Sequence, residues 1–594
     1  MRTPALAIAA SALAYAQVTA ITGALVIDGR GAAPAKATVL IRGDRIVAVG
    51  PSVEIPSDAT IVKAEGHTLL PGLFDLHTHL PYSAVDGWLG DWGKVLAAYL
   101  YCGVTSVVDY GTYPETFEPM RRLLRDGIIA GPRIHFAARI TTPGGHGAEA
   151  GRGDFFSLEV LTPADARAAM KRLLPYRPDA IKVFTDGWRY GSGHDMTNME
   201  EDALTEIVKL AKPEAMEVMT HTVTLERARI AARAGVGAMV HGISDQPVDA
   251  ETAELFRKSG TAYVSTLAVY EIKRWAEPAL FASILEPSAL RLWRERSEPR
   301  LTGARERRWH NLTKNLTAMR DAGVAIASGT DAGVVGTIHG YSSLRELELM
   351  VEAGMEPLAA IRAATQTSAK TLHVEGERGA IAPGLLADLV LVEGRPHERI
   401  RDIEQVRRVW KGGVEVDREK LAKVIGNDST TPIPALPATA LIDDMEGERT
   451  RLDTLRVNAT DSGHDHTKMI FTRTLRSPGN HALTIQATMS EKRRPVAQVV
   501  FPLSKGAVEP VDASRFEGIE FDARGDGQYG VVFQRRDVRR TGGYPRQQFS
   551  AGPEWVRVRV PLPATKADLQ ALAFEIARPP GTQGWLELDN LRFY

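Results

Sequence analysis

Cysteine is nearly absent. The single thiol among 594 residues, Cys102, excludes internal disulfides and any thiolate zinc cluster. Neither sign of charge is in excess. The 72 basic and 73 acidic residues leave a formal net charge of -1, so composition gives nucleic acid or another polyanion no electrostatic reason to bind. Beyond the N-terminus there is no stretch with the ~18–20 uninterrupted apolar residues of a membrane span. Cys102 lies in Leu100-Tyr-Cys-Gly-Val-Thr105, between a helical run and a strand, and reads as buried packing rather than a nucleophile.

What is present begins with an export signature. Residues 1–16 combine Arg2, an apolar stretch from Pro4 to Leu13 and the small-x-small site Ala14-Tyr15-Ala16, which reads as a signal peptide. An exported protein, periplasmic or secreted, is expected. At 64.7 kDa the chain needs about two or three domains.

The pattern then changes three times. Residues 17–70 carry short strands with tight turns at Asp28-Gly29 and Arg42-Gly43-Asp44. From 71 to 375 strand, loop and helix alternate. Eight strand candidates are Gly72–His77, Val104–Asp109, Arg133–Ala138, Ala180–Phe184, Glu217–His221, Ala238–His241, Ala262–Thr266 and Ala325–Gly329. Helices are expected over Leu161–Leu174, Leu225–Ala234, Asp249–Ser259, Ser343–Glu352 and Pro357–Thr371. This is the count a (β/α)8 TIM barrel requires. Short strands return over 376–430, so both flanks are expected to form one small composite β-sandwich. The proline-spaced segment 431–440 predicts a stiff linker across which few contacts pass, making the last domain separable. Residues 441–594 alternate polar and apolar with almost no helical period, as an all-β jelly-roll or β-sandwich would.

The chemistry sits at the ends of the barrel strands. His77 and His79 are two apart on one strand, so their imidazoles point to one side and can share an ion. Lys182, His221, His241 and Asp331 fall at corresponding positions of other strands. The C-terminal face of a barrel is where such groups converge, and imidazole and oxygen donors without thiolates suit zinc or a similar divalent ion. Lys182 has two readings. Its amine can react with carbon dioxide to give a bridging carbamate, or it can stand neutral or pair with Asp179 or Asp186.

Six motifs together resemble the metal-dependent amidohydrolase superfamily, nearest its imidazolonepropionase-like and prolidase-like members. They are Pro71-Gly-Leu-Phe-Asp-Leu-His-Thr-His79, Ile181-Lys-Val-Phe184, Thr220-His-Thr222, Val240-His-Gly242, Ser328-Gly-Thr-Asp331 and Gly379-Ala-Ile-Ala-Pro-Gly-Leu-Leu-Ala-Asp-Leu389. The resemblance implies two divalent metal ions, usually zinc. His77, His79 and Asp331 would hold the first, His221 and His241 the second, with carbamylated Lys182 bridging. It also implies hydrolysis of a C–N bond in an amide, a peptide or a cyclic amide, with Asp331 carrying the proton to the departing nitrogen. A dipeptidase or N-acyl amino-acid hydrolase is the favoured reading. A non-catalytic glycan- or protein-binding module on a vestigial barrel is the alternative, against which the complete ligand set argues.

Substrate contacts are assigned more loosely. Thr141-Thr-Pro-Gly-Gly-His-Gly147 is a glycine loop after the third strand, and His146 is expected to orient the substrate or stabilise the oxyanion. Tyr270, His194 and His339 are further candidates for substrate contact or a supporting layer. Residues 441–594 resemble the complex I intermediate-associated, galactose-binding-like domains through Leu441-Ile-Asp-Asp-Met-Glu446 and Gly584-Trp-Leu-Glu-Leu-Asp-Asn-Leu-Arg-Phe593. A glycan or protein ligand there is open, although Trp555 and Trp585 read more readily as packing aromatics.

Overall fold

The computed structural model describes residues 18–83, 89–148, 151, 153, 155–187, 197–271, 279–295, 303–463, 465–540 and 542–594. The expected signal segment and His194 lie outside them.

Eight parallel strands form the barrel: Leu73–Thr78, Val104–Asp109, Arg133–Thr141, Ala180–Phe184, Glu217–His221, Ala238–Val240, Ala262–Ser265 and Ile326–Ser328. Each pairs with its sequence neighbour, and the backbone links Asp331 N–H to His77 O (2.8 Å) and His79 N–H to Ala332 O (2.7 Å) bring the last segment back to the first strand. The strand faces explain the apolar runs. Phe74, Leu76, Val108, Ala180, Met219, Val240, Val264 and Ala327 fill the interior, while Ile181, Val183, Val218 and Met239 join the shell of helices outside. Because side chains alternate, Lys182 and Phe184 share the inward parity of Ala180, and His221 that of Met219.

The helices obey local rules. Pro163–Leu173 starts at Thr162, whose hydroxyl accepts from Asp165 N–H while the Asp165 carboxylate takes Thr162 N–H. Such a cap contributes ~1 kcal/mol. The helix expected over Pro357–Thr371 is interrupted by a π-helical turn, Ala363–Thr367. There the Ser368 hydroxyl donates to Ala363 O (2.6 Å) and lies 3.4 Å from Ser328 N, close against the last barrel strand. Among the described residues, Leu267–Tyr270, Ala279–Ile284, Pro287–Glu295 and Gly303–Asp321 are helical between the seventh and eighth strands, where the sequence pattern marks no helix.

The flanks combine in one mixed eight-stranded sheet, in which Leu389–Glu393 pairs antiparallel with His67–Pro71. The C-terminal residues form a seven-stranded and a six-stranded sheet closed over a core that includes Phe501, Phe521, Phe549 and Phe574. Cys102 is buried and its thiol is pushed up to about 12 by burial, so it stays protonated and inert.

One expectation is overturned: the last domain is not loosely tethered. Leu436–Pro437, inside the proline-spaced segment, pairs with Val511–Asp512 of the sandwich, and Thr431 bonds to the Asp91 carboxylate at the barrel. The sandwich also grips the loops after three barrel strands. Arg539 O accepts Leu89 N–H (2.8 Å), Glu115 pairs with Arg449 and accepts Leu455 N–H, and Gly151 O accepts Thr460 N–H (2.9 Å). All three loops leave the C-terminal ends of their strands, so the sandwich stands on the barrel face where chemistry is assembled.

Candidate metal centre

Three side chains converge at the mouth of the barrel. Asp331 Oδ1 lies 3.3 Å from His77 Nε2 and 3.0 Å from His79 Nε2, and no hydrogen bond satisfies that oxygen. His77 Nδ1 and His79 Nδ1 are likewise without partners. Candidate ligand atoms of the three residues lie within 4.8 Å of one another, a convergence of two imidazoles and a carboxylate that fits a divalent cation. Charge agrees with this. Burial and the neighbouring Lys182 and histidines press His77 well below the ordinary histidine value, leaving a neutral imidazole with a free lone pair. Burial would raise the Asp331 carboxyl, but the adjacent His79 outweighs it and holds it at about 2.

A second layer, not singled out from the sequence, fixes these ligands. The carboxylate of Asp75, fully buried, accepts His77 N–H (3.2 Å) and the hydroxyls of Thr330 (2.6 Å) and Ser343 (2.8 Å). Burial raises its carboxyl to about 7 against those bonds. His339 belongs to this layer too: its Nε2 is 3.3 Å from His79 O, behind the ligand rather than in the opening. Tyr82 stacks on His79 with ring centres 5.3 Å apart. Asp331 and His241 both have positive φ, 60° and 137°, where side chains other than glycine are strained.

The remaining candidates line the other side. His241 is 4.5 Å from His77 and 4.7 Å from His221, ring centre to ring centre. His241 Nδ1 meets the Thr266 hydroxyl at 2.9 Å, which orients the ring, and burial with Lys182 nearby takes it down to about 3. His221 Nε2 has no hydrogen-bond partner and stands 3.8 Å from Asp186 Oδ1. Lys182 is fully buried, its Nζ 4.4 Å from the Tyr110 ring centre and 5.4 Å from that of Phe184. Burial pulls its ammonium well below the ordinary lysine value, although Asp331 opposes this. Of the carboxylates offered as alternative partners, Asp179 is engaged elsewhere and Asp186 only through Oδ2, its Oδ1 having no hydrogen bond. Asp179 takes Arg121 and Phe136 N–H, and Asp186 takes the N–H groups of Val223 and Thr224.

The His146 ring lies 4.2 Å from that of His221 and 5.2 Å from that of Phe184. Arg139, also missed in the sequence, anchors this loop by donating to Gly147 O and the Ser157 hydroxyl while its guanidinium covers Phe156. Gly147 has φ 94°, and a Cβ there would meet the Phe184 ring at 2.6 Å. Tyr270 stands edge-on to His241 at 5.8 Å.

Residues 68–416 match the profile of the Amidohydrolase family, more than half of the chain. The chain belongs to the amidohydrolase family. Its curated relatives include a dihydroorotase of Mycobacterium tuberculosis, 50% identical over 42 residues, which are 7% of this chain and 10% of that protein. The chain thus spans about a tenth of the dihydroorotase it matches. An imidazolonepropionase of Vibrio cholerae serotype O1 is 23% identical over 375 residues, 60% of this chain and 86% of that protein. Among solved structures, a Xaa-Pro dipeptidase with methionine bound in its active site is 26% identical, covers 67% of this chain and 100% of its own, and superposes with a TM-score of 0.56. This amidohydrolase therefore carries the family's His/His/Asp cluster on a barrel close in structure to one that serves a dipeptidase.

Proposed function

We propose that this amidohydrolase hydrolyses a C–N bond of a peptide-like amide, with dipeptides or N-acyl amino acids as the substrate class. The observation that carries the reading is the unpaired convergence of His77, His79 and Asp331. A divalent ion held there, most readily zinc, would supply Lewis acidity and acidify a bound water. Around it the side chains have separate tasks. Asp331, ionised at neutral pH, accepts the proton of the attacking water on its carboxylate and returns it to the departing nitrogen. His146 faces the site beside His221, placed to donate to the substrate carbonyl as charge develops on oxygen. Tyr270 and Phe184 wall the opening.

The reading extends to a second ion at His221 and His241, bridged by a carbamate on Lys182. The complete burial of Lys182, which disfavours its ammonium form, and the unpaired His221 Nε2 support this. It further includes export, on the strength of the N-terminal residues, and a galactose-binding-like identity for residues 441–594. A vestigial barrel is disfavoured because unpaired buried imidazoles and a carboxylate are costly to retain without an ion.

The test is elemental analysis of protein prepared with bicarbonate and zinc, followed by a screen of dipeptides, N-acyl amino acids and lactams. About two ions per chain and turnover of dipeptides or N-acyl amino acids are expected. Protein without bound metal, or activity confined to lactams, would overturn the proposal.

A further inference from the structure

Between the glycine loop of the barrel and the C-terminal sandwich lies a cavity of about 340 Å3, within the ~300–1,000 Å3 of small-molecule sites. One wall is glycine backbone, contributed by Gly144, Gly145 and Gly147. The absence of side chains keeps this wall thin, and the loop is held in shape by its own bonds, Arg139 and Ser157 donating to Gly147 O and Gly145 N–H to Thr142 O. The facing wall is the beginning of the strand Lys468–Ser477, an edge of the six-stranded sheet. That strand pairs with Asn480–Thr488 on one side only, and among the described residues it makes no backbone hydrogen bond on the other. Its Ile470 is 66% exposed and its Leu475 70%. A bare edge bearing apolar side chains invites pairing with another extended chain unless something covers it.

The strand edge presents backbone N–H and C=O groups, the chemistry by which an extended peptide is recognised at a sheet edge, while Phe156, Ser157, Glu159 and Asn458 add side chains to the lining. The loop and the sandwich already interact in this manner where they touch, through Thr460 N–H and Gly151 O. A Cβ on Gly151 would meet Thr460 O at 2.3 Å, so that contact depends on the absence of a side chain. The cavity also adjoins the metal centre. Gly145 and Gly147 flank His146, whose ring is 4.2 Å from that of His221. A chain lying in it would be one loop's thickness from the reacting bond.

We propose that this cavity is a substrate subsite for the extended peptide portion remote from the scissile bond, and that the sandwich thereby sets a preference for longer substrates. The inference rests on the peptide-like amide hydrolysis proposed above. It assigns the sandwich a part in recognition by the active site, which a merely attached domain would not have.

The test compares kcat/KM for N-acetyl amino acids with the same compounds lengthened by one to three residues on either side of the scissile bond, using full-length, metal-loaded enzyme. Lengthening on one side should raise kcat/KM by about tenfold. Ile470→Trp should lower the long-to-short ratio by about tenfold, and Ile470→Ala should not, with melting temperature and metal content reported for both. A wild-type enzyme indifferent to length, or an Ile470→Trp ratio equal to wild type, would overturn the subsite while leaving amide hydrolysis standing. If no amide in the series is cleaved, the functional reading falls and the subsite with it.

Discussion

The two halves of the metal centre are built differently. Around His77, His79 and Asp331 the ligand atoms already meet, because Asp75 ties the His77 backbone to Thr330 and Ser343, and His77 O in turn receives Asp331 N–H. On the other side the rings of His221 and His241 are neighbours, yet among the described residues they form no such cluster with a carboxylate. Each is fixed separately: His241 by Thr266, His221 beside Asp186, Lys182 between aromatic faces. The first half is organised by the fold itself. If the second ion proposed above binds there, the Lys182 carbamate would supply the missing anion. A centre of this design should fill in sequence, and should be separable by mutation.

The largest effect is expected in the first half, at its proton acceptor. Asp331→Asn keeps the shape but removes the proton acceptor, and kcat should fall by ~10²–10⁴-fold. Pre-steady-state turnover with metal content measured alongside checks this, and near-normal turnover would refute the assigned role. Lys182→Ala should divide the halves. Metal content should fall from about two ions per chain to about one, with activity partly restored by acetate or propionate. Retention of two ions and full turnover would abolish the distinction drawn here. The smallest effect belongs to Thr266→Val, which deprives His241 Nδ1 of its partner. Loss of an outer hydrogen bond to a ligand should weaken the second ion by ~10-fold and leave the first unchanged. Equal weakening of both ions in a competitive chelator titration would show that the halves act as one unit.

How far the sequence revealed this depends on what each feature requires. The barrel strands were legible because a strand buried on both faces must be apolar along its length, and the ligands because imidazoles at strand ends stand out in such runs. Asp75, Thr266 and Arg139 were not singled out, since short polar residues and arginines are common and their partners are set only by tertiary contact. Ser343, for instance, is 268 residues from the Asp75 carboxylate it meets. The docking of the sandwich was hidden for the same reason. Arg539 and Glu286 are ordinary charges in sequence, and their pairing at 3.1 Å exists only once two domains face one another. Prolines signalled an extended segment correctly in kind, but not that Thr431 and Leu436 would fasten it at both ends.

The positive φ angles at Asp331 and His241 carry a consequence for the resting protein. A residue held there costs ~1–3 kcal/mol that glycine would avoid. The chain is thus kept taut at Asp331, in the metal cluster, and at His241 beside it. Loss of the metal would leave that tension without compensation, and glycine at either position would give a sturdier but inert molecule. Thermal resilience and catalytic competence pull against each other at these two residues, and an ion that favours only the tensioned state should reconcile them.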